Sequence, residues 1–128
     1  MDGNPDTIGE GSSTRADCLF CKIVQKTIPA KIVHEDESAL AFEDITPQAP
    51  VHLLIIPKKH IARLADLVPE EAQILAHIFG FVPTLARKYG VLESGFRSVI
   101  NSGAGAGQSV FHLHIHLMGG RTFRWPPG

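Results

Sequence analysis

One short run near the C-terminal end, VFHLHIHLM at 110–118, constrains this chain more than any other feature. Polar and apolar residues alternate there at period two, the pattern of a half-buried β-strand and not of a helix. Successive side chains of a strand point to opposite faces, so the run predicts His112, His114 and His116 on one face and Leu113, Ile115 and Leu117 on the other. Rings two residues apart would then stand about 7 Å from one another. A single histidine in a strand is ordinarily a satisfied structural residue, and His34 and His77 are read in that way. Three in alternation meet no packing need, so the row predicts a functional site. Two chemistries use such a row. Neutral imidazoles at i and i+2 can chelate a metal, or one imidazole can attack phosphorus or an acyl carbon to give a covalent intermediate.

The rest of the pattern supplies a scaffold. KIVHE at 31–35 and ALAFE at 39–43, separated by Asp36, Glu37 and Ser38, predict a hairpin. HLLIIP at 52–57 is a nearly continuous apolar run ending at a proline, as a buried strand would, and FRSVIN at 96–101 is a further strand. CLFCKIVQK at 18–26 predicts a short helix, because Leu19 and Ile23, and Phe20 and Val24, recur at a spacing of four. A long helix is expected from Pro69, followed by Glu70 and Glu71 at its positive end, with Ile74, Ile78, Val82, Leu85 and Tyr89 on the buried face and Gly90 as its stop. Pro83 removes a backbone donor, at a cost of about 3 kcal/mol inside a helix, and predicts a kink over 80–83. The sum is an α+β domain: a mainly antiparallel sheet of about five strands with one long and one or two short helices. Residues 1–16, rich in Gly, Ser, Asp and Pro, read as a flexible tail, and 17–128 as one domain.

Charge narrows the partners. With 12 Lys plus Arg against 13 Asp plus Glu in 128 residues, the net charge of −1 argues against nonspecific binding to nucleic acid or an acidic membrane, so local groups must meet any anion. The chain shows no leader-like segment and no apolar run long enough to span a membrane, and a cytoplasmic protein is expected. Cys18 and Cys21 lie too close together to staple a framework. Their CxxC spacing puts both thiols on one side of a turn, where His60 and His112 could complete a tetrahedral zinc set. A pair of reduced thiols and a redox pair are the alternatives. Zinc with four protein ligands would hold the N-terminal segment and could not activate water, so catalysis is expected to need no cofactor. Ahead of the histidines, Asn101, Ser102 and GAGAGQSVF place Gly103, Gly105 and Gly107 in a turn whose amides can approach an anion, with Gln108 and Ser109 next to it. No Lys and no helix follow, so the turn is not a P-loop.

HLHIHLM at 112–118 matches the signature His-φ-His-φ-His-φ-φ, φ being apolar, and the chain resembles the histidine triad nucleotide-binding proteins. It is similar to their Hint branch in IPAKIVHEDE at 28–37, AFEDITPQAPVHLLIIPKKHI at 41–61, GQSVFHLHIHLMGGR at 107–121 and the terminal WPPG at 125–128. The resemblance covers 18–128. It implies a five-stranded antiparallel sheet, a homodimer with the sheet continuous across the interface, and hydrolysis of nucleoside phosphoramidates, such as AMP joined to an amine, to a purine monophosphate. It further implies His114 as nucleophile, with its other ring nitrogen donating to the carbonyl of His112, His116 on the phosphate, His52 in support and Ser109 nearby. Asp44 would take the ribose hydroxyls, Phe20, Ile23, Phe42 and Ile45 would wall the purine, and Asn101, Gly107, Gln108, Ser109 and Val110 would border the phosphate. Some bacterial members carry this CxxC with a zinc on two Cys and two His. A zinc-dependent hydrolase using HxH and a nucleotide-binding regulatory module with little turnover remain as alternative readings.

Overall fold

In the computed structural model, which describes residues 15–128, the β-type runs become β1 (Ile32–Glu35), β2 (Ala39–Glu43), β3 (Val51–Pro57), β4 (Phe96–Ile100) and β5 (Ile115–Gly119). They form one sheet in the order β1-β2-β3-β5-β4, every neighbouring pair antiparallel, and the α+β expectation holds. The tail expected at 1–16 lies outside the described residues except for Arg15 and Ala16.

Both faces of the central strands are buried, which is why HLLIIP is apolar nearly throughout. Ala39, Ala41, Leu53, Ile55, Ile115 and Leu117 form one core with Ile78, Val82 and Leu85 of α2 (Ala72–Lys88). On the opposite face Leu40, Phe42, Leu54 and Ile56 pack with Phe20, Cys21 and Ile23 of α1 (Leu19–Val24). Paired residues of an antiparallel ladder share a face. His116, opposite Leu54, therefore belongs to the α1 side of the sheet.

The long helix departs from expectation at two points. Pro69–Glu71 form a 3-10 turn, so the α-helix proper starts at Ala72. Pro83 does not break it: the helix runs through to Lys88. Pro83 lies on the exposed side, and the carbonyl four residues earlier, whose partner it removes, belongs to the exposed Phe79, where water can take the bond. The stop is as expected. Gly90 has φ +76°, its N–H donates to the Arg87 carbonyl (3.1 Å), and the Val91 N–H reaches back to Ala86 (2.9 Å). Among the described residues no helix is long and apolar enough to cross a membrane.

Two stability predictions arise here. A Cβ on Gly119, at the end of β5, would lie 2.7 Å from Val91 Cγ1 and 2.8 Å from its Cβ. Val91 is itself buried, so Gly119→Ala should destabilise the fold by about 1–3 kcal/mol in denaturant unfolding. An unchanged midpoint would contradict that packing.

The second concerns the β1–β2 turn. Asp36 accepts from the N–H groups of Ser38 and Ala39 (2.9 Å each) through Oδ1 and from Nε2 of His34 and His77 (2.8 Å each) through Oδ2, which ties the turn to α2. His34 also stacks on Phe81. Both histidines are thus structural. Partial burial alone would raise the Asp36 carboxyl, but the bonds from His34, His77 and the turn amides outweigh it and hold the group well below the ordinary carboxylate range. A carboxylate depressed in the folded state stabilises above its unfolded pKa, and that contribution is lost as the pH falls through the folded one. Asp36→Asn should therefore cost about 1–2 kcal/mol near neutrality, with the gap to the parent closing in acid. A gap that does not change with pH would count against this account.

Candidate active site

The histidine strand is shorter than its sequence pattern. β5 pairs with β3 from Gly119 opposite Val51 to Ile115 opposite Ile55. Two residues further on, the same register would set Leu113 against Pro57, which has no N–H to donate. The Leu113 N–H goes instead to the Ile61 carbonyl (2.6 Å), and the Pro57 carbonyl takes the ring of His112 (Nε2···O 2.8 Å). The three rings expected on one face therefore have different surroundings. His112 is fully buried beside the cysteines, whereas His114 and His116 remain neighbours, with ring centroids 5.0 Å apart.

Hydrogen-bond partners fix the tautomers. Carbonyls only accept, so His112 carries its proton on Nε2, toward Pro57, and His114 carries its proton on Nδ1, toward the His112 carbonyl (2.8 Å). The lone pair of His114 is thereby placed on Nε2, which has no hydrogen-bond partner among the described residues. A backbone N–H only donates, so His52 Nδ1, 2.9 Å from the Gln48 nitrogen, is an acceptor, and its proton sits on Nε2. That proton points to His116 Nδ1 at 2.9 Å, with Asp44 Oδ2 a more distant neighbour at 3.4 Å. His116 consequently presents its own proton on Nε2. Burial is the main reason that His52 and His114 titrate below an ordinary histidine. It also pushes His116 down to about 4, with His114 and His52 adding to the effect.

The α1 side supplies the wall. Phe20 meets His114 edge-on at 5.2 Å and Phe42 at 5.4 Å. Phe20, Ile23 and Phe42 are all buried, while Ile45, expected beside them, stands 96% exposed in the loop after β2. Asp44 begins that loop and stabilises it, its Oδ1 accepting from the Thr46 N–H (2.8 Å).

The glycine turn differs from a phosphate cradle, because most of its amides bond within it. The Gly103 N–H donates to Gln108 Oε1 (2.8 Å), Ala106 and Gln108 donate to the Gly103 carbonyl (3.1 Å each), and Gly107 donates to Ala104 (3.0 Å). Gln108 is buried and directs its side-chain amide to the carbonyls of Ala62 (2.8 Å) and Val110 (3.0 Å). In this structure the Gly107 N–H and the donors of Gln108 are engaged within the protein, where they shape the turn. The N–H groups of Ser109 and Val110 have no protein acceptor among the described residues. Both residues line a cleft of about 280 Å³ with Cys18, Leu19, His60 and Phe111. Asn101 follows β4 and is half-buried.

Behind this wall lies a second cluster. Cys18 Sγ and Cys21 Sγ are each 3.4 Å from His112 Nδ1, and Cys21 Sγ is 3.3 Å from His60 Nδ1. The four ligand atoms lie within 4.8 Å of one another. Zinc–sulfur and zinc–nitrogen bonds at a tetrahedral angle separate S from N by about 3.6 Å, so the donor set fits that ion closely. Burial pushes the Cys21 thiol up to about 12, a state that a bound cation would reverse. Pro57 and Gln48, which orient His112 and His52, act through main-chain atoms that leave no residue-type signal in a sequence.

With a free imidazole nitrogen, a hydrogen-bonded histidine pair and the triad signature in place, the comparison with known proteins is decisive. The HIT domain profile matches residues 25–123. The chain belongs to the HIT family. It is 51% identical over 112 residues to a HIT-like protein of Synechococcus elongatus, covering 88% of this chain and 97% of that protein, and 50% identical to one of Synechocystis over the same shares. Among solved structures, a HIT family hydrolase from Legionella pneumophila superposes with a TM-score of 0.86 at 54% identity, covering 88% of this chain and 100% of that one. A HIT family hydrolase from Clostridium thermocellum does so with a TM-score of 0.82 at 47% identity, covering 84% and 94%. The HIT fold of this chain carries His114 and His116 on the α1 face of the sheet, with the Nε2 lone pair of His114 unengaged among the described residues.

Proposed function

We propose that this HIT protein hydrolyses nucleoside 5′-phosphoramidates to a purine monophosphate and an amine through a nucleotidyl intermediate on His114. One observation carries the reading: the His112 carbonyl accepts the Nδ1 proton of His114 and so leaves the Nε2 lone pair available for attack. Nε2 forms a bond to phosphorus as the phosphorus–amine bond breaks. Binding of the anionic phosphate favours a proton on the adjacent His52–His116 pair, which His116 Nε2 delivers to the leaving nitrogen. Water then attacks phosphorus, the bond to Nε2 breaks, and the proton released from water returns to the pair. Unengaged amides at Ser109 and Val110 and the carboxylate of Asp44, next to the exposed Ile45, suit the phosphate and the ribose of such a substrate.

The same contacts weigh against a catalytic metal on HxH. The unprotonated nitrogens of His112 and His114 face different surroundings, the cysteine sulfurs for one and the substrate side for the other. Asp44, His52 and His116 bring ligand atoms within 4.8 Å, but the Gln48 N–H occupies the lone pair of His52 Nδ1 and leaves a proton on Nε2, the atom that would have to ligate. Cys18, Cys21, His60 and His112 would hold a structural zinc, a closed site that fastens α1 to the histidine segment. A homodimer with a continuous sheet would use a terminal strand, β1 or β4, as its edge.

Two displacements at phosphorus give net retention, and direct attack by water gives inversion. A substrate made chiral at phosphorus should therefore yield the monophosphate with retention, and inversion would overturn the covalent route. Because burial lowers the His114 pKa, its free base persists as the pH falls through the ordinary histidine range near 6.5. The acid limb of kcat/KM, which reports the free enzyme, should fall below that value, and a limb at or above it would contradict the assignment.

A further inference from the structure

Resting on the phosphoramidase reading, we propose that Arg97 and Arg121 form a subsite for an anionic group, a carboxylate or a second phosphate, carried by the amine leaving group. Arg97 lies opposite Met118 in the β4–β5 ladder, and Met118 lies opposite His52 in the β3–β5 ladder. Paired residues share a face, so Arg97 is on the catalytic face, a diagonal neighbour of His116, which pairs with Val99. Phe96 and Ile100, which alternate with it, pack on the α2 side. Along the histidine segment the order is therefore His114, just before β5, then His116, then the row of Met118 and Arg97. In-line displacement puts the leaving group on the side of phosphorus away from the nucleophile. A leaving group departing from His114 past His116 runs toward that row.

At its end two guanidinium groups share one ring. Arg97 Cζ lies 5.0 Å and Arg121 Cζ 4.2 Å from the centroid of Phe123. Arg97 uses one Nη to donate to the Arg124 carbonyl (2.8 Å), and Arg121 donates to the carbonyls of Gln48 (2.9 Å) and Thr122 (3.0 Å). Neither has a carboxylate within ion-pair reach among the described residues, unlike Lys26, Lys58, Lys59 and Arg63. Two guanidinium groups set against one aromatic ring, each with N–H groups to spare, can both donate to an anion. Arg121 is also placed rigidly relative to the reaction, because the Gln48 residue that it holds through its carbonyl holds His52 through its N–H.

The test measures equilibrium binding of three adenosine 5′-phosphoramidates to the full chain carrying His114→Ala, whose turnover is slowed at least about a thousandfold. Their amines are glycine, glycinamide and aminoethyl phosphate, which differ in the anionic group. The glycine and aminoethyl phosphate conjugates should bind about tenfold more tightly than the glycinamide conjugate, and added salt should narrow the gap. Adding Arg97→Gln should bring the affinities within about twofold, while Arg97→Lys, which keeps the charge, retains part of the preference and so separates loss of the ion pair from misfolding. Preference for only one anionic conjugate would identify the source of the anion. Equal binding of all three, or a preference that survives Arg97→Gln and Arg121→Gln, overturns the subsite alone. Failure of all three to bind overturns the nucleotide reading and the subsite with it.

Discussion

His114→Ala should give a folded protein that still binds a purine monophosphate but cleaves a nucleoside phosphoramidate at least about a thousandfold more slowly. The expectation follows from where the ring is held. His114 is buried, its Nδ1 proton is fixed by the His112 carbonyl and Phe20 packs against it edge-on, so the direction of Nε2 is set before substrate arrives. No nearby group can replace it. His116 and His52 face one another at 2.9 Å, and His112 points its unprotonated nitrogen at the cysteines. Since the ribose and phosphate contacts assigned to Asp44, Ser109 and Val110 do not pass through His114, the loss should fall on kcat far more than on binding. Turnover within about tenfold of the parent, in a variant with the parent's melting curve, would remove His114 from the mechanism.

The second large effect should come from the Cys18–Cys21–His60–His112 cluster. Zinc that binds only the folded chain stabilises it by about 4 kcal/mol when its free concentration is a thousand times its dissociation constant. Cys18→Ser with Cys21→Ser, or a strong chelator acting on the parent, should lower stability by about that amount and abolish one equivalent of bound zinc in elemental analysis. Turnover should suffer less than stability, because the bond from His112 Nε2 to the Pro57 carbonyl continues to hold the ring whose backbone carbonyl orients His114. A parent that holds no metal and is indifferent to the chelator would refute the zinc assignment. A folded double variant whose turnover falls as steeply as its stability would refute the purely structural role.

How much of this was legible in the sequence depends on whether side chains or the main chain carry the information. The five strands follow from period-two alternation and from continuous apolar runs, and β2 coincides with ALAFE to the residue. The cysteine–histidine cluster follows from ligand type and spacing. The triad was legible as a site but not in its geometry: alternation alone makes its rings equivalent, whereas a missing N–H at Pro57 ends the ladder and turns His112 away to another task. Gln108 illustrates a different limit. A glutamine beside a glycine turn has the same appearance whether it donates to a ligand or staples the turn, and only its contacts with Gly103, Ala62 and Val110 distinguish the two. Phe20 and Phe42 were ambiguous for a related reason, since the wall of a pocket and the core behind it share a composition. Arg97 and Arg121 lie 24 positions apart with no motif between them; the register of β4 on β5 brings Arg97 to the catalytic face, and Phe123 brings Arg121 to the same ring.

The central claim is that the Nε2 nitrogen of His114 becomes bonded to phosphorus during turnover. Mixing the protein with a purine nucleoside phosphoramidate, quenching within one turnover and weighing the intact chain tests it most directly. The mass should rise by one nucleotidyl group, the added mass should map to the peptide that holds His114, and the signal should vanish in His114→Ala. Steady hydrolysis with the chain never carrying that mass, or with it carried on another residue, would contradict the account.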